Sequence, residues 1–128
     1  MKEEVTEAIE ELRKNFQEST LTVEDDGAGG ARVIVDNVHI GERFTPSRTW
    51  LGAHIPALYP YADIYPVFMG PDVVRQDGVT FVAPITPNAN FAGRAALQIS
   101  RRNNLAQQYP QPAYAKFLKI IDFLRKLP

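Results

Sequence analysis

Ser100 stands directly before two arginines, Arg101 and Arg102. If that hydroxyl acted as an oxygen nucleophile, the two guanidiniums could stabilise the oxyanion. A serine also needs a base to activate it. Arginine cannot be that base, since it stays protonated in proteins. The chain has two histidines, His39 and His54. Neither lies near Ser100 in sequence, so His54 would have to approach through the fold. The competing reading of Ser100 is a helix-capping serine. The chain has no cysteine, which removes disulfides, thiolate metal sites and thiol nucleophiles together. Two histidines are too few for a histidine-based metal site, and no metal or organic cofactor is expected.

These residues must be positioned by the elements around them. Val5, Ile9, Leu12 and Phe16 recur at helical spacing and predict an amphipathic helix over 2–18. Alternation over 20–24 and the β-branched run 31–40 predict two strands. The turn Asp25-Asp26-Gly27-Ala28-Gly29-Gly30 joins them as a hairpin. A third strand is expected over 49–55. The segment 55–69 carries Pro56, Pro60 and Pro66, which forbid a helix or a central strand there. It is expected to be an extended crossing that ends in a short strand at Val67–Met69. Residues 41–47 and 70–78 read as loops, and 79–84 as a short extended piece. Residues 86–104 read as one long irregular stretch with a short helix near 95–100, and a loop of that length is usually functional. Phe117, Ile120, Ile121 and Leu124 predict a final helix over 113–127. The order is segregated α+β: an N-terminal helix, an antiparallel four-stranded meander, a long irregular region and a C-terminal helix. With 128 residues the chain is expected to form one domain, 1–128.

Composition narrows the function. A hydrophobic share of 45% and a charged share of 23% are those of a globular chain. No apolar run is long enough to span a membrane, and no secretory leader opens the chain, so a cytoplasmic protein is expected. The net charge of −1 hides an asymmetry. Residues 1–30 carry three basic and nine acidic side chains, a net of −6, and residues 94–128 carry seven basic and one acidic, a net of +6. Such polarity steers partners, or it describes two solvated helix faces. Basic residues are not interleaved with exposed strand aromatics, so no nucleic acid is expected.

Two motifs in this order resemble the ubiquitin-conjugating enzymes. The first is Ile55-Pro56, Tyr59-Pro60, then Tyr65-Pro66-Val67-Phe68. It is similar to that family's strand ending in an apolar-Pro step, its Tyr-Pro, a further proline and a hydrophobic strand. The family usually has two adjacent prolines where this chain has Tyr65-Pro66. The second is Thr86-Pro87-Asn88, followed by Gly93-Arg94-Ala95-Ala96-Leu97. The family has His-Pro-Asn there, with the catalytic cysteine ten residues after the histidine, inside Gly-x-x-Cys-Leu. Here Thr86 replaces the histidine and Ala96 the cysteine. The resemblance spans nearly the whole chain. The closer resemblance is to bacterial relatives, one group of which is similar in having an aromatic or glycine-rich step and then Ser-Arg-His before a final helix. Phe91-Ala92-Gly93 and Ser100-Arg101-Arg102-Asn103 look like that pattern, with Arg102 in place of the histidine.

The resemblance implies an acyl carrier in a bacterial ubiquitin-like conjugation pathway. Such a protein accepts the C-terminus of a ubiquitin-like protein from an activating enzyme and passes it to an amine on a target, with or without a ligase. Asn88 takes the place of the family's oxyanion and loop-bracing asparagine, or it is a turn asparagine after Pro87. Three readings of Ala96 are open. It replaces a native cysteine, it marks an inactive variant that binds and positions ubiquitin-like partners, or the acceptor is an oxygen. In the last case Ser100, four residues on, would share a face with Ala96 on a short helix. The family's first helix docks on the activating enzyme, and Glu3, Glu7, Glu10, Glu11 and Lys14 are the matching candidates here. Tyr59, Tyr61 and Tyr65 are either a recognition surface or core plugs.

Overall fold

The computed structural model describes residues 1–128. Helix α1 (Glu3–Asn15) forms where the apolar spacing predicts it. Glu3 and Glu4 occupy its first turn and Arg13 and Lys14 its last, so both ends complement the helix dipole. Val5, Ala8, Ile9 and Leu12 are its buried stripe. Helix α2 (Ala113–Arg125) starts just after Pro112. Its first amide, on Ala113, donates to the Tyr59 hydroxyl at 3.0 Å, so a side chain from mid-chain satisfies one of the helix's orphan donors. Both helices end slightly earlier than their apolar spacing predicts.

The strands are β1 (Leu21–Asp25), β2 (Ala31–His39), β3 (Phe44–Thr45), β4 (Arg48–Ile55), β5 (Val67–Met69), β6 (Val74–Arg75), β7 (Ile85–Phe91) and β8 (Arg94–Ile99). Six of them form one sheet in the order β1-β2-β4-β5-β8-β7, and β3 pairs with β6 in a separate ladder. Every pairing is antiparallel. The protein is therefore α+β, with a helix near each end of the chain and an antiparallel sheet between them.

Both helices pack on one face of the sheet. Val5, Ile9 and Leu12 of α1 and Phe117, Ile120 and Leu124 of α2 join Val33, Leu51, Val67, Met69, Leu97 and Ile99 in one core cluster. The opposite face carries no helix. A small cluster there holds Ile34, Phe68, Phe91 and Ala96, with Trp50 and Ala89 against it. Phe68 and Phe91 stack with ring centroids 4.8 Å apart. Gly52 lies beneath Phe91, where a Cβ would come 2.8 Å from the ring. Only glycine lets that ring lie so close to the sheet.

The β1–β2 turn is held by one carboxylate. Asp26 accepts the amides of Ala28 at 2.7 Å and Gly30 at 2.9 Å, and its other oxygen meets His54 Nε2 at 2.6 Å. The bond to His54, then that to the Ala28 amide, brings its pKa from 3.8 down to about 2. A carboxylate depressed in the fold contributes stability that is complete above its unfolded pKa and is lost as pH falls through the folded one. We expect wild-type stability to drop between about pH 4 and about pH 2 and Asp26→Ala to flatten that slope, as read from urea midpoints across the range. Parallel pH profiles for the two proteins would show that the turn carboxylate is not coupled to folding.

Several expectations are corrected by the structure. The sheet has six strands, not four. Residues 85–99 are not irregular but a hairpin, β7–β8, closed by Ala92 and Gly93 at φ +49° and +80°. Residues 95–99, expected as a short helix, lie in β8, which pairs on both sides, with β5 and with β7. Tertiary pairing overrode weak local preference there, since Leu97 and Ile99 bury on the core face only in an extended chain. The segments expected as loops at 41–47 and 70–78 contribute β3 and β6, whereas 79–84 forms no strand. The proline crossing does lack helix and strand, and β5 begins at Val67 as expected.

Candidate functional site

The hairpin brings the motif residues together, but not as a helix would. Ala89 is the cross-strand partner of Ala96, so Asn88 adjoins the residue that faces position 96. Asn88 has φ +63°, at the register irregularity between Thr86 and Ala89. Asparagine tolerates that conformation better than most residues, and its exposed side chain makes no hydrogen bond. Ala96 is 1% exposed and packs among Ile34, Phe68 and Phe91.

Ser100 follows the end of β8 on the same side of the chain as Ala96. Four residues of helix rise about 6 Å, but four of extended chain rise about 13 Å. The two positions therefore cannot serve one reacting centre. The Ser100 hydroxyl accepts a hydrogen bond from Gln98 Nε2 at 3.1 Å. Its amide donates to the Pro84 carbonyl at 2.9 Å, and no helix follows it before Ala113, so it is not a helix cap. His54 lies on β4, and β5 separates that strand from β8. Two strand spacings are about 10 Å, beyond hydrogen-bond reach of Ser100. His54 is engaged with Asp26 in any case. His39 contacts Glu42 at 2.8 Å and Arg125 at 3.3 Å.

Arg101 and Arg102 head a different constellation. Lys116 of α2 is 5% exposed at its side chain and pairs with the 9% exposed Asp63 at 3.1 Å. Its ammonium also donates to the Arg101 carbonyl at 2.7 Å. Asp63 in turn accepts the Asn103 amide at 2.6 Å. One buried ion pair thus ties the 101–103 segment to α2 and to the proline crossing. Burial lowers the Lys116 pKa, Asp63 opposes that, and the positive charges of Lys119 and Arg101 add to the lowering. The Arg101 guanidinium sits 4.6 Å from the centroid of the Phe123 ring, and that of Arg102 sits 3.9 Å from that of Tyr65. Sequence reasoning missed Asp63, Lys116 and Lys119. A signal for Lys116 was present: with Ala113, Phe117 and Ile120 it falls on the apolar stripe of α2, where a lysine requires a buried acceptor.

The three tyrosines divide. Tyr59 is buried beneath α2, Tyr61 is 62% exposed and Tyr65 carries Arg102. Glu3, Glu7, Glu10 and Glu11 are exposed on α1. Lys14 stands apart from them, lining a groove of about 480 Å³ with His39, Arg48 and Arg125. No group of three or more His, Asp or Glu side chains is placed to hold a metal ion. No helix is long and apolar enough to cross a membrane. No protein-family model matches the chain, and neither a curated protein nor a solved structure is significantly similar to it.

Proposed function

We propose that this chain is a non-catalytic protein of ubiquitin-conjugating type that binds and positions ubiquitin-like pathway components without carrying the acyl group itself. The burial of Ala96 carries the reading. An acyl-carrying side chain must reach a bulky protein C-terminus, and a residue here packs against Ile34, Phe68 and Phe91 instead. A thiol at this position would be shielded, with its pKa raised by apolar surroundings. Ser100 has no base within reach and sits about 13 Å along the chain from position 96. The proline-aromatic crossing and the paired terminal helices are the features in common with the family that this chain resembles. The partners implied are a ubiquitin-like protein and its activating enzyme. The exposed Glu3, Glu7, Glu10 and Glu11 suit a basic docking surface.

Because the chain has no cysteine, Ala96→Cys introduces a single thiol. It should react slowly with a disulfide reagent in the folded protein and fully in guanidinium. Mixed with activating enzyme, ubiquitin-like protein and ATP, neither Ala96→Cys nor the unaltered chain should form an adduct on non-reducing gels. Each should still bind one of the two proteins, and Glu7→Lys with Glu10→Lys should weaken that binding. A thiol-sensitive adduct on Ala96→Cys would restore the thioester reading. A base-labile adduct on the unaltered chain, lost in Ser100→Ala, would restore the oxyester reading. Absence of binding to both proteins would sink the module reading as well.

A further inference from the structure

A cavity of about 170 Å³ opens between the 101–103 segment and α2, lined by Arg101, Arg102, Asn103, Gln111, Lys116 and Lys119. Four of the seven lining residues are cationic, and the seventh, Ile120, is apolar. Lys116 is neutralised by Asp63. Arg101, Arg102 and Lys119 belong to none of the molecule's ion pairs, and the nearest acid on α2, Asp122, is engaged by Lys126 at 3.0 Å. None of these three side chains donates a hydrogen bond to the protein. Three positive charges therefore face one small space without a counter-charge.

The two guanidiniums are nonetheless held in place. Arg101 lies over Phe123 and Arg102 over Tyr65. A ring face attracts the cation and restrains its plane but occupies none of its N–H donors. The usual way to order a surface arginine is a carboxylate, which would consume both charge and donors. Here the ordering cost is met and the fork stays available, which is the preorganisation that favours binding. The segment that carries them is itself anchored, through the Asn103 amide and the Arg101 carbonyl, to the buried Asp63–Lys116 pair. Gln111, on the same wall, has a buried side-chain nitrogen with no hydrogen-bond partner.

We infer that this cavity is a binding site for a phosphate-type oxyanion, free or at the end of a nucleotide. Charge decides between anions. A monocarboxylate would leave two cations uncompensated, whereas a phosphate with nearly two negative charges, or a pyrophosphate with more, matches three. Geometry agrees, because guanidiniums bind phosphate oxygens through paired N–H donors. The inference does not depend on the function proposed above, since it uses neither position 96 nor the acidic face of α1.

The test is calorimetric titration of the whole chain with inorganic phosphate, pyrophosphate and a nucleoside diphosphate, with acetate as control, at constant ionic strength. Saturable one-to-one binding is expected for the phosphate probes. Arg102→Gln and Lys119→Gln should each weaken it about tenfold or more, the loss of one charged hydrogen bond. Arg13→Gln, which removes a charge on α1, should leave it unchanged. Both cavity positions are exposed, so the variants should keep the wild-type melting midpoint. A nucleoside diphosphate bound more tightly than pyrophosphate would identify a nucleotide as the source, and the reverse order a free anion. Absence of saturation, equal weakening by Arg13→Gln, or acetate binding as tightly as phosphate would overturn the inference.

Discussion

Asp63→Ala should destabilise the fold by about 3–5 kcal/mol, the range for removing one partner of a buried ion pair. The Lys116 side chain is 5% exposed, and Asp63 is the only carboxylate paired with its ammonium. Without that carboxylate the ammonium keeps one contact, the Arg101 carbonyl at 2.7 Å. Burial already lowers the Lys116 pKa, and Asp63 is the group that counteracts it, so the variant must bury an unpaired charge or give up a proton. Asp63 also accepts the Asn103 amide, and losing that bond frees the 101–103 segment. Against a total stability of about 5–15 kcal/mol for a domain, the change is large. The double variant Asp63→Ala with Lys116→Met should recover most of the loss, because it removes the buried charge together with its partner. Urea denaturation of the wild type and these variants measures both effects. A single-variant loss below about 1 kcal/mol would mean that water reaches the ammonium and that the pair is not desolvated.

Phe117→Ala should cost about 3–5 kcal/mol, the range for truncating a buried phenylalanine to alanine. Phe117 is 0% exposed at the middle of α2. Its ring meets that of Phe16, just beyond α1, edge to face at 6.3 Å. The cavity left behind would lie where α1, α2 and the sheet converge, so no single element can close it. The neighbouring Leu118 is 42% exposed, and Leu118→Ala should change stability by about 0.5 kcal/mol or less. The contrast between adjacent apolar residues tests the helical period itself. Similar losses at both positions would show that α2 is rotated from the orientation described.

Parts of this architecture are legible in the amino-acid sequence. The stripe of Val5, Ile9 and Leu12 and that of Phe117, Ile120 and Leu124 declare two helices, because helical periodicity is a local property of the chain. The hairpin β1–β2 shows in its β-branched residues and glycine-rich turn. The three prolines of 56–66 exclude regular structure, since they remove amide donors and fix φ whatever surrounds them. Where expectation and structure part, the local signal is weak. Strand β7 reads Ile85-Thr86-Pro87-Asn88-Ala89-Asn90-Phe91, which includes a proline and two asparagines, all poor strand formers. It is tolerated because β7 is an edge strand with one neighbour. The hint was Ala92-Gly93, a two-residue turn that suits a hairpin.

The candidate site divides in the same way. Sequence alone establishes that sulfur chemistry by cysteine is absent, that position 96 holds an alanine, and that basic residues crowd the C-terminal third of the chain. These facts are written in residue identity and need no geometry. Whether Ala96 and Ser100 share a centre depends on the rise over four residues, about 6 Å in a helix against about 13 Å in a strand. That was decided by the pairing of β8 with β5 and β7. The Asp63–Lys116 pair joins residues 53 positions apart, and the stacks of Arg101 on Phe123 and Arg102 on Tyr65 join segments that are likewise distant along the chain. Such contacts arise from the packing of elements on one another. Residue identity determined which groups were available to this protein, and only the tertiary structure decided which of them meet, because long-range proximity is a property of the packed chain.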